Sequence, residues 1–138
     1  MTTNIELEDM AKKLKLKDFK GVFMKDQIEG NKDLLTENSS FILNFEDTSK
    51  KGSHWSLAYK KGKEKIFYDS YGTHPLIEIQ KIWGSNILYT NFQTQKFNSD
   101  ICGEMCLLIC YLLDNSKKES LHQAFVDIIL DMFCDVLY

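Results

Sequence analysis

The sequence has few of the features that mark disordered, membrane-spanning or multidomain proteins. It has one proline and seven glycines in 138 residues and no biased tract, so long unstructured linkers are not expected. The longest strongly apolar run, from Met105 to Leu113, is much shorter than the about 20 residues that cross a bilayer. A single domain over residues 1–138, without a membrane partner, is therefore predicted.

Several further absences narrow the class of protein. The first residues are charged where a signal peptide would be apolar, so we expect synthesis in the cytoplasm or nucleus and four reduced cysteines. No CxxC pair or Cys/His cluster has zinc spacing, so no metal is expected. The net charge of −3 matches nucleic acid poorly, although "KKLKLKDFK" is a small basic run.

The pattern of apolar residues changes along the chain from a helical to a strand period and back. It predicts helices at residues 5–17, 26–35, 76–83 and 119–137, strands at 40–47, 54–60, 65–70 and 86–92, and a helix that begins near Cys102. The second and third strands resemble an antiparallel hairpin with its tip at Lys61-Gly62. The order predicts an α+β domain in which helices flank a small mixed β-sheet.

The stretch "SDICGEMCLLICYLL" places three cysteines at every fourth position of a predicted helix. Cys102 lies where the helix begins, and the free N–H groups and dipole of a helix start favour a thiolate. Ser99 and Asp100 both suit the N-cap position. Cys106 and Cys110 lie deeper in the helix, where we expect them to be buried core residues.

A nucleophilic cysteine needs a base, and His54 is the best placed of the three histidines. It opens a predicted strand, whereas His74 lies in a turn and His122 in the last helix. Asp69 ends the next strand, so an antiparallel hairpin returns it to the end where His54 begins. A carboxylate there orients the imidazole and stabilises the imidazolium. The competing interpretation is a structural histidine and a turn-forming aspartate.

An oxyanion donor completes the set of residues that thiol catalysis needs. Gln95 lies just upstream of the cysteine helix, and its amide together with the N–H of Cys102 is suited to hold a tetrahedral oxyanion. Gln93 is the competing donor, and the sequence leaves the choice between the two open.

The stretches "GSHWSLAYKKGKEKIFYDSYGTHP" and "QTQKFNSDICGEMC" resemble the adenain-type cysteine proteases of DNA viruses and the related Ulp/SENP deSUMOylating proteases. His54-Trp55, Asp69 and Cys102-Gly103 match the motifs of that group. The spacing from Gln95 to Cys102 is closer to the adenovirus maturation protease. "FKGVFMKDQI" and "FILNFEDTS" resemble the small proteases of virophages and Polinton-like elements, and the resemblance runs from about Phe19 to Leu113.

The resemblance implies a papain-like or Ulp-like fold whose nucleophile starts a central helix. It also implies cleavage after small residues, at Gly-Gly or Gly-X sites, in viral capsid precursors during virion maturation. The site would be catalytic His54, Asp69, Gln95 and Cys102, with these substrate-binding residues: Trp55, Gly103, Asp26 and Asn44. No metal or organic cofactor is implied, an activating peptide is a possible partner, and the expected locations are the virion and the host cytoplasm or viral factory.

Three alternatives use the same residues differently. An isopeptidase would remove a ubiquitin-like modifier, an acyltransferase would pass the acyl group to a lysine or serine, and a catalytically silent domain would bind glycine-rich tails. The choice among them depends on whether the side chains converge and on which substrate is cut.

Overall fold

A computed structural model describes residues 2–46, 48, 54–94 and 101–137 of the chain. Within these ranges there are four α-helices and one five-stranded sheet. The helices are α1 (Asn4–Lys13), α2 (Ile77–Trp83), α3 (Cys102–Asp114) and α4 (Leu121–Leu137). The strands are β1 (Phe19–Met24), β2 (Asn38–Asn44), β3 (Trp55–Lys61), β4 (Glu64–Tyr68) and β5 (Leu88–Tyr89). The predicted α+β class is confirmed, and the papain-like or Ulp-like fold stays a prediction.

The strands lie in the sheet in the order in which they occur in the chain. β2, β3 and β4 are antiparallel to their neighbours, whereas β1 runs parallel to β2 and β5 parallel to β4. Lys61 pairs with Glu64, so the hairpin turn is Gly62-Lys63, one residue later than predicted. Gly62 has a φ of +61°, a conformation that glycine adopts without strain.

Helices cover both faces of the sheet. On one face α1, α3 and α4 pack on side chains such as Leu57 and Tyr68. On the other face α2 packs on Phe41 and Phe67 together with the short 3₁₀ helix Lys32–Leu35. β3 and β4 are therefore central strands with apolar side chains on both sides. None of the helices in the described ranges is both long and apolar enough to cross a membrane.

The first helix is shorter than the apolar pattern predicts. It begins with a capping box in which the Thr3 hydroxyl accepts from the Glu6 N–H at 3.2 Å and the Glu6 carboxylate accepts from the Thr3 N–H at 3.2 Å. It ends at Lys13 because Lys15 and Asp18 have φ values of +53° and +46°, which no α-helix contains. The prediction of a helix to residue 17 is wrong at this end.

Four other parts of the chain differ from the predicted pattern. The sequence predicts no element over β1, and residues 26–35 form the 3₁₀ helices Lys25–Gln27 and Lys32–Leu35 rather than an α-helix. The strand predicted over residues 86–92 pairs only at Leu88–Tyr89. The last helix begins at Leu121, where the Glu64 carboxylate accepts its N–H at 3.2 Å and so caps the helix from the end of the hairpin.

The cysteine helix is fixed at both ends. It begins at Cys102 as predicted, with Ile101 rather than Ser99 or Asp100 in the N-cap position; those two residues lie outside the described ranges. At its other end the buried Asp114 accepts from the Tyr59 hydroxyl at 2.7 Å and from the Lys17 N–H at 2.6 Å. These anchors to β3 and to the turn after α1 hold the direction of α3.

Candidate active site

One rim of the sheet collects the residues that the sequence singled out. Asn44 at the end of β2 pairs with Trp55 at the start of β3, so the end of β2 and the start of β3 share this rim. Leu57 pairs with Tyr68, and β4 ends there, directly before Asp69. α3 begins with Cys102 above the same rim, because its sulfur contacts the backbone of Trp55.

His54 and Asp69 form a buried hydrogen-bonded ion pair, as the hairpin predicts. The Nε2 atom of His54 contacts the Oδ1 atom of Asp69, and Asp69 is completely buried. The other ring nitrogen, Nδ1, is buried and has no hydrogen-bond partner among the described residues. Asp69 occupies Nε2, and Cys102 is the other titratable side chain that acts on this ring. Nδ1 is therefore the nitrogen that is available to the thiol.

The sulfur of Cys102 is surrounded by groups that stabilise a thiolate. Burial favours the neutral thiol, but the His54 side chain and the backbone N–H groups of Trp55 and Gly103 outweigh it and lower the pKa of Cys102. The Trp55 N–H donates to Sγ at 3.5 Å. The position at the first turn of α3 adds the favourable end of the helix dipole. The expected preference for the thiolate therefore has three separate causes.

The carboxylate of Asp69 is held by three donors. Oδ1 accepts from the Ser56 hydroxyl at 3.0 Å in addition to His54, and Oδ2 accepts from the Thr73 N–H at 2.9 Å. Burial disfavours the ionised form, but the bonds from His54 and Thr73 outweigh burial and lower the pKa of Asp69. A negative charge is thus maintained beside the imidazole.

Two aromatic rings, for which the sequence predicts no role, fix the plane of the imidazole. The Tyr71 ring stacks on His54 with 4.2 Å between centroids and 7° between planes. The Phe45 ring contacts it nearly at a right angle, with 5.5 Å between centroids. The position of Tyr71 can be predicted from the hairpin. When the β3–β4 register is extended beyond the pair Leu57–Tyr68, Tyr71 lies opposite His54.

The turn that carries Asp69 is itself rigid. The Gly72 N–H donates to the Asp69 carbonyl at 2.9 Å, and the Thr94 N–H donates to the Ser70 carbonyl at 2.7 Å. The Tyr68 hydroxyl and the Thr94 side chain are 2.8 Å apart. The segment after β5 is therefore attached to the turn, and the position of Asp69 depends on both.

Trp55 and Gly103 lie in the core rather than along an open cleft. Trp55 is only 4% exposed, and its indole N–H donates to the Thr2 carbonyl at 3.1 Å. A Cβ atom on Gly103 would lie 2.7 Å from a methyl carbon of Leu7. Because Gly103 has no side chain, α1 can pack closely against the start of α3, and Leu7 occupies the space beside Gly103. Thr2 and α1 thus cover Trp55 and Gly103, and contact of either residue with a substrate stays a prediction.

Asp26 and Asn44 belong to the same rim, where they stabilise turns. The Asp26 carboxylate accepts from the Thr48 N–H at 2.9 Å and from its hydroxyl at 2.6 Å. Asn44 is completely buried, and its side-chain oxygen accepts from the Glu46 N–H at 2.9 Å. These bonds fix the described residues directly after β2, next to Phe45. Contact of either residue with a substrate stays a prediction.

The two glutamines predicted as candidate oxyanion donors both lie between β5 and α3 in the chain. Gln95 lies outside the described residues, and Gln93 is half-buried in the segment that Thr94 attaches to the Asp69 turn. The first N–H groups of α3, with that of Cys102 at their start, lie next to the sulfur. The roles of Gln95 and Gln93 stay predictions.

The neighbouring thiols have the opposite environment. Cys106 is completely buried, and burial raises its pKa well above the ordinary value. Burial likewise raises the pKa of Cys110 to about 12. Both are neutral core residues at physiological pH, as predicted, and Cys134 lies in α4.

The pH dependence of the site follows from these shifts. Burial opposes protonation of His54, but Asp69 and Cys102 outweigh it and raise its pKa to about 9, so the imidazolium persists until pH rises through that value. The thiolate of Cys102 forms below its ordinary pKa. An activity that uses His54 as its acid should therefore fall as pH rises through about 9, because the imidazolium proton is then lost.

Steady-state kinetics at a series of pH values would measure this fall, which is the alkaline limb of the pH profile. Asp69→Asn should move it to lower pH, because the neutral amide no longer stabilises the imidazolium. The exposed Asp33 provides the control, since Asp33→Asn should leave the limb in place. A limb that is unchanged in Asp69→Asn would exclude His54 as the titrating group.

No protein-family model matches this chain, and no curated protein matches it. The resemblance to the adenain-type proteases therefore stays a prediction. The functional argument depends on the geometry of Cys102, His54 and Asp69.

Proposed function

We propose that this protein is a cysteine peptidase in which Cys102 is the nucleophile, His54 the acid and base, and Asp69 the orienting group. The observation that carries the proposal is the position of the His54 ring, whose Nε2 atom binds the buried Asp69 carboxylate while its buried Nδ1 atom has no partner among the described residues, beside a Cys102 that begins α3. A structural histidine would not require a thiol with a lowered pKa on one side and a buried carboxylate on the other.

The proposed reaction has two halves. The Cys102 thiolate attacks the peptide carbonyl carbon, and the carbonyl electron pair moves to the oxygen. When the C–N bond breaks, the Nδ1 proton of His54 passes to the leaving amine and a thioester remains. Water then attacks the thioester and gives its proton to His54. The C–S bond breaks, and the thiolate and imidazolium are restored with release of a carboxylic acid.

The substrate class is inferred from the resemblance, since no substrate is present. Cleavage after Gly-Gly or Gly-X in viral structural precursors is proposed, with action in the virion and in the host cytoplasm or viral factory. The near-complete burial of Cys102, which is 4% exposed as a residue, supports this choice because a residue without a Cβ reaches a recessed sulfur most easily. An activating peptide is a further proposed partner.

An electrophilic peptide ending in Gly-Gly would test the proposal directly. We expect it to modify Cys102 selectively, with Cys106, Cys110 and Cys134 unmodified in the peptide map. The matched control is a probe with the same electrophile after Val-Val, which should label slowly because its side chains do not fit. Labelling spread evenly over the cysteines would contradict the proposal.

The same preparation distinguishes the alternatives. A peptidase cleaves Gly-Gly-X peptides to a free carboxylate, whereas an isopeptidase prefers a ubiquitin-like Gly-Gly conjugate. An acyltransferase instead passes the acyl group to an added lysine or serine peptide. Selective labelling of Cys102 without any product would favour a silent binding domain.

A further inference from the structure

Ser56 has an unusual position next to the catalytic groups. Its side chain is completely buried, and its hydroxyl donates to the Oδ1 atom of Asp69 at 3.0 Å. That same oxygen contacts Nε2 of His54, while Oδ2 accepts from the Thr73 N–H at 2.9 Å. One oxygen of the carboxylate therefore serves two side chains.

The register of the hairpin explains why a serine at this position reaches Asp69. Leu57 pairs with Tyr68, so the next pair toward the rim is Ser56 with Asp69. Side chains alternate along a strand, and Trp55 and Leu57 face the helix α3, so Ser56 faces the opposite side of the sheet from Cys102. Ser56 thus has no access to a substrate at the sulfur and acts only through Asp69.

We propose that Ser56 is a positioning residue for the thiol chemistry, which aims the Oδ1 atom of the Asp69 carboxylate at His54. The inference rests on the proposed function, in which His54 shuttles the proton. Rotation of the carboxylate would break the bonds to Ser56, Thr73 and His54 together, so three donors define one orientation. Without the hydroxyl, Oδ1 would be left in a buried site with a single donor.

The pKa of His54 depends on the groups that surround its ring. Asp69 from the end of β4 and Cys102 from α3 are the charged groups that act on His54, and the phenol of Tyr71 packs on its ring. Loss of the Ser56 hydroxyl lets the ionised Asp69 carboxylate turn away from Nε2 of His54 and so weakens the stabilisation of the imidazolium. The visible consequence is a downward shift of the alkaline limb of turnover.

The test uses two pairs of variants of the full chain. Ser56→Thr keeps the hydroxyl and Ser56→Val replaces it with a methyl group of nearly equal size, so this pair isolates the hydrogen bond. Ser56→Ala is compared with Ser40→Ala, which removes another buried serine hydroxyl from the same sheet, one that contacts Cys110 away from the site. Thermal melting identifies any general loss of stability.

We expect Ser56→Ala and Ser56→Val to lower kcat about tenfold with KM nearly unchanged, and to shift the alkaline limb down by about one pH unit. Ser56→Thr and Ser40→Ala should retain the wild-type limb. A wild-type limb and kcat in both Ser56→Ala and Ser56→Val would overturn the proposal. An equal loss in Ser40→Ala would overturn it as well.

A second readout separates this proposal from the proposed peptidase. The pH dependence of alkylation at Cys102 by iodoacetamide, followed by mass spectrometry, reports the thiolate–imidazolium pair without any peptide substrate. A shifted alkylation profile in Ser56→Val, together with absent peptide cleavage in the wild type, would support Ser56 and reject the peptidase. An unshifted profile would reject the role of Ser56 whatever the wild type cleaves.

Discussion

Cys102→Ala is expected to lower peptide cleavage by more than about 10⁴-fold while the chain remains folded. Among the residues described at the start of α3, Cys102 carries the one thiol that could form the proposed thioester, so neither His54 nor Asp69 can compensate for its loss. The substitution removes one atom from a site whose backbone is fixed by α3, so little stability should be lost. Single-turnover assays and thermal melting measure the two quantities on one preparation.

Cys106→Ala is the matched control, because it removes the same atom one helical turn away. Its thiol is neutral and completely buried, and it donates to the Trp55 carbonyl at 3.5 Å. We expect a loss of about 1 kcal/mol in the free energy of unfolding and nearly unchanged kcat. If Cys102→Ala keeps its activity, or if Cys106→Ala loses it, Cys102 is not the nucleophile.

Gly72→Ala is expected to lower the free energy of unfolding by about 3 kcal/mol and to reduce activity as well. Gly72 has a φ of +76°, and a Cβ atom there would lie 2.7 Å from the carbonyl carbon of Phe92. Backbone atoms cannot move aside as a side chain can, so the turn itself must shift. Asp69, three residues earlier, accepts the Gly72 N–H in that turn and would move with it.

Gly30→Ala separates the conformational cost from the clash. Gly30 also has a positive φ, +79°, but a Cβ atom there would meet nothing within 4 Å. We expect it to lose about 1 kcal/mol and to keep full activity, whereas Gly72→Ala should melt roughly 10 °C below the wild type. Equal melting temperatures for the two variants would show that the approach to Phe92 costs nothing.

The parts of the fold that were predictable have strong local patterns. The β3–β4 hairpin and the start of α3 follow from alternation and from a buried apolar run that begins at Cys102. β1 was missed because its register with β2 is irregular between Phe19 and Val22, and Gly21 there has a φ of +136°, so side chains do not alternate. Its pairing is set by tertiary contact rather than by local preference.

The same division holds for the site. The proximity of His54 and Asp69 could be counted along the hairpin, because both positions lie at its open end. The sequence does not predict that Trp55 is buried or that the space beside Gly103 is filled. Both depend on α1 and on Thr2 before it, which pack against residues far away in the chain. The contacts of Ser56 with Asp69 and of Tyr71 with His54 are not predicted either, because they depend on how the β3–β4 register continues beyond the last strand pair.

The geometry of the β3–β4 hairpin also provides a site for chemical labelling. Its open end holds His54 and Asp69, and its turn, Gly62-Lys63, lies at the far end of β3. Seven strand residues, Trp55–Lys61, span about 20 Å. A fluorophore or surface linker joined at the exposed Lys63 would therefore lie far from the sulfur, which makes this turn a suitable attachment point for immobilising the protein or for an optical reporter.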